Sequence, residues 1–193
     1  MGVTPPAGLT ADLQRYLQDG RDAMLRALDG LSEYDARRPM TPTGTNVLGL
    51  VKHLAGVEVG YLSAAVGRPA PTLPWDEDGS IWEGGDMYAR ADESREWVVG
   101  LYREAWSLSD ASLAELPLDH PAEPVWWPED RGRTTFGHLV VRVTCETAQH
   151  AGHAEILREL VDGRAGRDHD AVGDAEHWQR FHAAVQAAAD AHR

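Results

Sequence analysis

Residues 134–161 read TTFGHLVVRVTCETAQHAGHAEILRELV, and this stretch decides how the rest of the chain is interpreted. Its apolar residues recur at intervals of about three and four, on one stripe formed by Phe136, Leu139, Val143 and Leu157. This spacing is typical of an amphipathic helix whose apolar face is turned towards a core. The sequence therefore predicts one long helix here, and a core built by other helices around it.

The stripe is interrupted by two polar residues in its middle. Stepping on from Val143 by three and then four residues leads to Glu146 and His150, where the pattern favours Leu or Val. A lone ionised carboxylate in a core costs several kcal/mol, so such groups occur with an ion pair, a hydrogen-bond network or a metal ion. We therefore expect Glu146 and His150 to have partners inside the bundle.

A metal ion is one such partner. Glu146 and His150 are four residues apart, so their Cβ atoms lie about 5–6 Å apart on a helix, close enough to share an ion. His53 lies at the edge of another apolar helix and is the best candidate for a third ligand. Two imidazoles and one carboxylate form an open zinc site or, with ferrous iron, a facial triad.

The same residues also fit a purely structural interpretation. Glu146 can pair with Arg142, which is four residues away, and His150 can be a core histidine bonded to a backbone carbonyl. Glu and His pairs at this spacing are frequent on solvated helix faces. The spacing alone leaves the two interpretations open.

Composition restricts the class of protein. With 193 residues, 42% of them hydrophobic and 25% charged, the chain has the length and composition of one globular domain. A formal net charge of −13 disfavours nucleic acid and anionic membrane surfaces as partners. No apolar run reaches the roughly 18 residues of a membrane span, and the single cysteine, Cys145, favours a cytoplasmic location.

Helical periodicity also appears outside the opening stretch. We expect a first helix from a cap at Thr10 to about Gly30, a second from about Asn46 to Val66, a third from about Ser94 to Trp106, the long helix from a cap at Thr134 or Thr135 to Asp162 or Gly163, and a last one from about Ala175 to Ala191. With no convincing strand pattern, the chain is predicted to be all-α, a four-helix bundle with an additional C-terminal helix.

The segments between these helices are predicted to be irregular. Residues 1–9 form a loose arm, and residues 32–46 form turns because of their prolines and Gly44. Residues 76–94, between the second and third helices, are acidic and rich in glycine, which predicts a long surface loop over a pocket. Residues 107–133 are predicted to be a proline-containing linker.

Three segments together resemble a known family. The run GHLVVRVTCETAQHAGHAEILRELVDG at 137–163, VWWPEDRGR at 125–133 and TGTNVLGLVKHLAGVE at 43–58 resemble the DinB-like superfamily. They are most similar to its actinobacterial branch, which includes mycothiol-dependent maleylpyruvate isomerase and the mycothiol S-transferases. The resemblance extends from about residue 10 to Gly163.

The resemblance implies a fold, a metal site and a type of chemistry. The fold is a bundle of four long helices, here a single domain over 1–193 with 164–193 as a C-terminal extension, and often a homodimer. His53, Glu146 and His150 match the ligands of a divalent metal, commonly zinc, with Fe²⁺ or Ni²⁺ as alternatives. A cation lowers the pKa of a thiol, and mycothiol is the implied thiol cosubstrate of a transferase acting on a small electrophile.

One departure and two other functions are weighed beside this interpretation. The isomerase has a further C-terminal domain, whereas this chain continues to Arg193 with one more helix, which disfavours the isomerase reaction itself. The same metal could activate water in a hydrolase. A noncatalytic binding or stress-associated protein with a vestigial site is the third interpretation.

Three further residues are candidates for supporting roles, and a fourth, Cys145, is not. His153 lies three residues after His150 and is a candidate for support of the metal ligands, while Trp126 and Trp127 are candidates for the mouth of a substrate pocket. Cys145 projects about 100° away from Glu146 on the helix, which predicts a small core residue and no nucleophile.

Overall fold

The computed structural model describes residues 8–193, and α-helices account for most of them. The eight α-helices are α1 (Leu9–Leu28), α2 (Glu33–Arg37), α3 (Val47–Leu62), α4 (Pro74–Glu77), α5 (Arg95–Glu115), α6 (Phe136–Asp162), α7 (His169–Val172) and α8 (Ala175–Asp190). Short 3₁₀ turns occur at Ala64–Val66, Ser80–Glu83 and Glu129–Arg131. Most of the loose arm predicted for residues 1–9 lies outside the described residues, but Leu9 already belongs to α1.

The four long helices α1, α3, α5 and α6 pack together as a bundle. α1 packs along α6, and α3 lies between α5 and α6, so that α3 contacts both of its neighbours over most of its length. This arrangement confirms the predicted all-α fold. It also places α3 beside α6, the two helices that carry the predicted metal ligands.

The core consists of two apolar clusters at different levels of the bundle. The first includes Leu50, Leu54, Trp75, Tyr102 and Ala154, and the second includes Leu17, Leu62, Phe136, Leu139 and Val143. Along α6 the first cluster ends at Ala151 and the second at Val143. The polar residues of α6 therefore lie at the level where one cluster gives way to the other.

A buried ion pair connects α1 and α3 inside the core. Arg21 of α1 donates to Glu58 of α3 through Nε at 3.0 Å and through Nη2 at 2.5 Å. Arg21 also donates through Nη1 to Asp110 of α5 at 2.9 Å. Both side chains of the Arg21–Glu58 pair are fully buried. Together with Asp110, the pair connects α1, α3 and α5.

The apolar character of α3 reflects its place in the core. By length and composition alone, Val47–Val66 would pass for a membrane span, contrary to the expectation that no such run exists. However, 72% of that window is buried by the rest of the protein. A central helix covered by its neighbours on most sides is expected to be this apolar.

The apolar stripe of α6 differs from its predicted course. It continues without interruption through the small buried residues Thr147, Ala151 and Ala154, which face α1. At this point α1 carries Gly20, and a Cβ there would lie only 2.9 Å from the Thr147 methyl group. The helices thus approach closely, and Glu146 and His150 lie beside the stripe, at the α3 side of α6.

Two helix boundaries differ from the predictions for a physical reason. α1 begins at Leu9 after Gly8 and is not capped by Thr10, and α5 continues past Trp106 to Glu115. The added turns of α5 bury Ser112 and Leu113, and the Ser112 hydroxyl donates to the carbonyl of Leu108. Packing against α3 therefore outweighs the weak helix propensity of this serine-rich segment.

Other helix ends agree with the predictions. The Asn46 side chain accepts from the backbone of Gly49 at the start of α3, and Thr135 accepts from His138 at the start of α6. Gly163 ends α6 in the left-handed conformation, where glycine carries no Cβ penalty. α3 itself ends at Leu62, and the predicted last turn to Val66 is 3₁₀.

The predicted irregular segments contain short regular elements. The turn region after α1 contains α2, which is capped by Ser32, and the acidic loop contains α4 and a 3₁₀ turn. Two two-residue strands, β1 (Pro121–Ala122) and β2 (Thr134–Thr135), pair antiparallel with Pro121 opposite Thr135. Within residues 8–193, α8 contributes no buried side chain, so it lies outside the bundle core.

Candidate metal centre

The structure brings together the three residues that the sequence predicted as metal ligands. We call His53, Glu146 and His150 the triad. Oε1 of Glu146 lies 3.6 Å from Nε2 of His53 and 3.5 Å from Nε2 of His150. Their candidate ligand atoms all lie within 4.8 Å of one another. α3 supplies one ligand and two successive turns of α6 supply the other two.

The donor set and spacing of the triad fit a divalent ion. Ligand atoms that bind one ion at about 2.0–2.2 Å in tetrahedral geometry are separated by roughly 3.3–3.6 Å. The two carboxylate–imidazole distances agree with this range, and both imidazoles point Nε2 towards the same carboxylate oxygen. Three ligands of this kind leave a fourth position open on zinc.

The triad is partly accessible to solvent. The side chains of His53, Glu146 and His150 retain 19%, 26% and 15% of their exposure, so the site is neither sealed nor on the open surface. A small ligand can therefore reach the atoms that converge there. This exposure is typical of a reactive site and differs from that of a closed structural site.

His150 is held in the form that binds metals. Burial lowers the pKa of His150, and so does the repulsion between its protonated form and a protonated His53, although the Glu146 carboxylate opposes this effect. A lowered pKa keeps the imidazole neutral near pH 7, and only the neutral form offers a lone pair to a cation.

Asp86 is a member of the site that sequence reasoning missed. Its Oδ2 lies 2.6 Å from Nδ1 of His53, and the residue is only 7% exposed. Because an ionised carboxylate only accepts hydrogen bonds, His53 donates through Nδ1–H, which leaves Nε2 as the acceptor that faces the triad. This is the arrangement by which carboxylates orient metal-binding histidines.

The acidic loop that carries Asp86 was predicted to be a long surface loop over a pocket, and its inner edge is bonded to α3. Lys52 is buried and donates through Nζ to the carbonyls of Gly85 and Tyr88, and it also pairs with Glu93 at 2.8 Å. Asn46 donates to the carbonyl of Met87. The signal in the sequence was a lysine next to His53 in an otherwise apolar helix.

Gly49 shows how closely the acidic loop approaches α3. A Cβ at Gly49 would lie 1.9 Å from the carbonyl oxygen of Met87, a distance that no side chain can adopt. Because Gly49 has no side chain, the backbone of the acidic loop can lie directly on α3. This contact fixes the loop one residue after Asp86.

The structural interpretation of Glu146 and His150 holds only in part. Oε2 of Glu146 lies 3.7 Å from Arg142, as that interpretation expects, while Oε1 faces the two imidazoles. His150 has no backbone carbonyl partner among the described residues. Its Nδ1 instead lies 3.4 Å from Nδ1 of His153.

The remaining predicted residues lie around the triad in different ways. His153 is exposed and lies edge-on against the ring of His150, with their Nδ1 atoms 3.4 Å apart, and a supporting role for it stays a prediction. Trp126 and Trp127 both donate through their indole N–H to the hydroxyl of Tyr61, at 3.2 and 3.0 Å, and Trp126 lines a pocket that begins at His53. Cys145 is exposed and is not the core residue that was predicted.

The fold and the site together define a helical-bundle protein with a candidate centre of two histidines and one glutamate. Residues 12–163 match the family model for mycothiol S-transferases, and the chain belongs to that family. The family implies a function like that of a mycothiol S-transferase, with a small-molecule thiol as substrate.

A solved structure supports the fold. The chain resembles a crystal structure described as the conserved protein of a locus from Enterococcus faecalis, with a TM-score of 0.62 and 16% identity. The similarity covers 82% of this chain and 100% of the other one. At this identity the comparison concerns the fold alone. A comparison with curated proteins finds no match.

Proposed function

We propose that the protein is a metal-dependent mycothiol S-transferase in which the triad holds one divalent ion, with zinc as the first candidate and Fe²⁺ or Ni²⁺ as alternatives. The single supporting observation is the convergence of two Nε2 atoms on one carboxylate oxygen at 3.5–3.6 Å. The chain belongs to the mycothiol S-transferase family, and this supports a role of the centre in thiol transfer.

The residues around the triad have distinct roles in this proposal. A bound ion supplies positive charge that lowers the pKa of a thiol and so provides a thiolate near neutral pH. Asp86 fixes the tautomer and orientation of His53, and Arg142 balances the charge of the outer oxygen of Glu146. Arg142 also lies over the rings of Tyr61 and Trp127, which hold its guanidinium beside the site.

The chemical step is a nucleophilic substitution on the electrophile. The thiol loses its proton to solvent, the sulfur forms a bond to the electrophilic carbon, and the leaving group departs with the electron pair of the bond that breaks. The chain need supply no nucleophile of its own. Cys145 projects from the exposed side of α6 and is outside the triad, in agreement with a thiol supplied by the cosubstrate.

We further propose a cytoplasmic homodimer built from one domain per chain. The single cysteine favours a reducing compartment, and the family resemblance favours the dimer. Helices α1, α3, α5 and α6 share one core, whereas α8 contributes no buried residue in the part of the chain that the structure describes. Residues 164–193 are therefore treated as an extension of a single domain over 1–193.

Elemental analysis of two matched histidine variants tests the metal site. His150→Ala should lose most of the bound metal because it removes one of three ligands, and it should keep the helical circular-dichroism spectrum because His150 lies beside the apolar stripe of α6 and not within it. His182→Ala removes an exposed imidazole of α8, outside the triad, and should keep the metal. Full metal occupancy in His150→Ala would refute the assignment.

The requirement for a thiol separates this proposal from its alternatives. Turnover of an electrophile should depend on added mycothiol, whereas a hydrolase would act with metal and water alone. A noncatalytic protein would show neither thiol-dependent nor thiol-independent turnover. Turnover of a substrate at the same rate with and without mycothiol would contradict the transferase.

A further inference from the structure

A pocket of about 370 Å³ begins at His53 and follows one face of α3. This face carries Gly56, Val57, Gly60 and Tyr61, one turn after another away from the triad. The segment from Trp75 to Asp86 forms the other side. The pocket thus leads from the candidate metal centre along the helix, and its volume is in the range that small organic ligands occupy.

The walls of the pocket are aromatic. Trp75, Ile81 and Trp82 lie on the side of the acidic loop, and Tyr61 and Trp126 lie on the other side. Trp82 is 83% exposed, which is unusual because tryptophan side chains are largely buried on average. A flat apolar molecule between these rings would remove that surface from water and gain from aromatic stacking.

Two glycines of α3 make the floor of the pocket flat. A Cβ at Gly56 would lie 3.1 Å from the ring of Trp75, and one at Gly60 would lie 3.3 Å from the ring of Trp126. Both rings therefore rest against helix backbone, at the two ends of the same face. A larger residue at either position would push a ring away or fill the space between the rings.

The charge of the pocket is negative. Among the described residues that line it, the ionisable ones other than Tyr61 are His53, Asp76 and Asp86, and neither lysine nor arginine is present. Nδ1 of His53 is hydrogen-bonded to the Asp86 carboxylate, so it is not available to a ligand in the pocket. A ligand carboxylate placed between the aromatic rings, away from the candidate metal position, would lose hydration on binding and meet the like charge of Asp76 and Asp86, which is unfavourable on both counts.

We propose that this pocket holds the electrophile of the transfer reaction, and that the electrophile is an uncharged, flat, apolar molecule, such as a substituted benzyl halide. The inference rests on the proposed transferase function. In the reaction the thiol sulfur forms a bond to the benzylic carbon, the carbon–halogen bond breaks, the halide leaves with its electron pair, and the thiol proton passes to solvent.

Calorimetry with two unreactive probes tests the pocket without any turnover. The probes are 4-nitrobenzyl alcohol, which is neutral, and 4-(hydroxymethyl)benzoate, which has a similar size and shape but carries a negative charge. With metal-free protein, in which the carboxylate of the benzoate has no cation to bind, the neutral probe should bind at least about tenfold more tightly. Equal affinity for the two probes, or tighter binding of the benzoate, would overturn the proposal.

Three variants connect the binding to the walls of the pocket. Trp82→Ala should weaken binding of the neutral probe by roughly three- to tenfold, since one stacking ring is lost. Asp76→Asn should narrow the difference between the two probes by several-fold. Tyr34→Ala removes another exposed aromatic ring, on α2 outside the pocket, and should change neither affinity. An unchanged affinity in Trp82→Ala contradicts the assignment of the pocket.

Turnover of 4-nitrobenzyl chloride with mycothiol then tests the transferase separately. Specific binding of the neutral probe without thiol-dependent turnover would refute the proposed function and leave the binding pocket established. Thiol-dependent turnover together with equal affinity for the two probes would support the transferase function and refute the proposal that the pocket selects an uncharged electrophile.

Discussion

The Arg21–Glu58 pair and the triad both place ionisable side chains inside the bundle, but their atoms are partnered in opposite ways. Arg21 supplies three donors that meet Glu58 and Asp110 at hydrogen-bond distances, and the pair is fully buried. In the triad, the side chains approach at 3.5–3.6 Å and remain partly open to solvent. The pair is complete within the chain, whereas the triad presents lone pairs to a common point.

The difference shows how one helical bundle accommodates polar groups for two purposes. Burial raises the pKa of Glu58, and the hydrogen bonds and charge of Arg21 oppose that effect, so the cation required by the carboxylate is part of the protein. For Glu146 the nearest arginine lies 3.7 Å away and faces only one oxygen. The comparison supports our proposal that the triad takes its cation from solution.

The largest expected effect on stability concerns the buried Arg21–Glu58 pair. Arg21→Met leaves the Glu58 carboxylate buried without its partner, and we expect the free energy of unfolding to fall by about 3–5 kcal/mol. Urea denaturation followed by circular dichroism measures the change. The double variant Arg21→Met with Glu58→Leu should recover most of the loss, because it removes both charges. A single variant within about 1 kcal/mol of the wild type would contradict this view of the pair.

The next effect is stabilisation by metal, which the triad should show and the Arg21–Glu58 pair should not. Adding Zn²⁺ to metal-free protein should raise the free energy of unfolding by about 2.7 kcal/mol at a free concentration one hundred times the Kd, since only the folded protein has the complete triad. His53→Ala should abolish this increase. An equal increase in that variant would place the metal elsewhere.

A smaller effect tests the partner of His53. Asp86→Asn should weaken metal binding about 10- to 100-fold, because the amide orients the imidazole less firmly than the carboxylate does. Competition with a chelating dye measures the affinity. Asp78→Asn alters an exposed carboxylate of the same loop that pairs with Arg90, and it should leave the affinity unchanged. Equal weakening in both variants would indicate a general effect of loop charge.

The smallest expected effect is a dependence of stability on pH. The unfolded chain has an ordinary histidine with a pKa near 6.5, whereas burial and repulsion from a protonated His53 lower the pKa of His150 in the folded protein. As the pH falls below about 6.5, the unfolded state takes up the proton first, so metal-free protein loses stability towards the folded-state pKa of His150.

Urea denaturation of metal-free protein at several values between pH 7.5 and pH 5 measures this loss. In His150→Gln the decline should be shallower, since the group that titrates has been removed. A steeper decline in the variant than in the wild type would mean that the sign of the shift is wrong.

Periodicity was sufficient to predict the long helices but not their lengths. α6 was predicted with a cap at Thr134 or Thr135 and an end at Asp162 or Gly163, and both ends agree with the structure because caps and glycine act locally. The end of α5 was predicted nine residues too early, since Ser112 and Leu113 are helical because of their packing against α3. Such packing depends on residues far away in the sequence.

The three predicted metal ligands could be found from the sequence, whereas the residue that orients His53 could not. The spacing of Glu146 and His150 follows from helix geometry. His53 was chosen because it lies at the edge of another apolar helix, and the family resemblance then matched the same three residues. Asp86 could not be found in this way, because it lies 33 residues after His53 in an irregular loop. Its position depends on how Lys52 and Asn46 hold the loop backbone.

The sequence by itself determined the all-α fold and the two polar positions of α6, because helical periodicity and i, i+4 geometry depend only on neighbouring residues. Only the tertiary structure decided that the apolar stripe continues through Thr147 and that Glu146 and His150 turn towards α3 beside it. Only the tertiary structure also placed Asp86 behind His53. Distances between separate elements result from the packing of the whole bundle, and no local pattern encodes them.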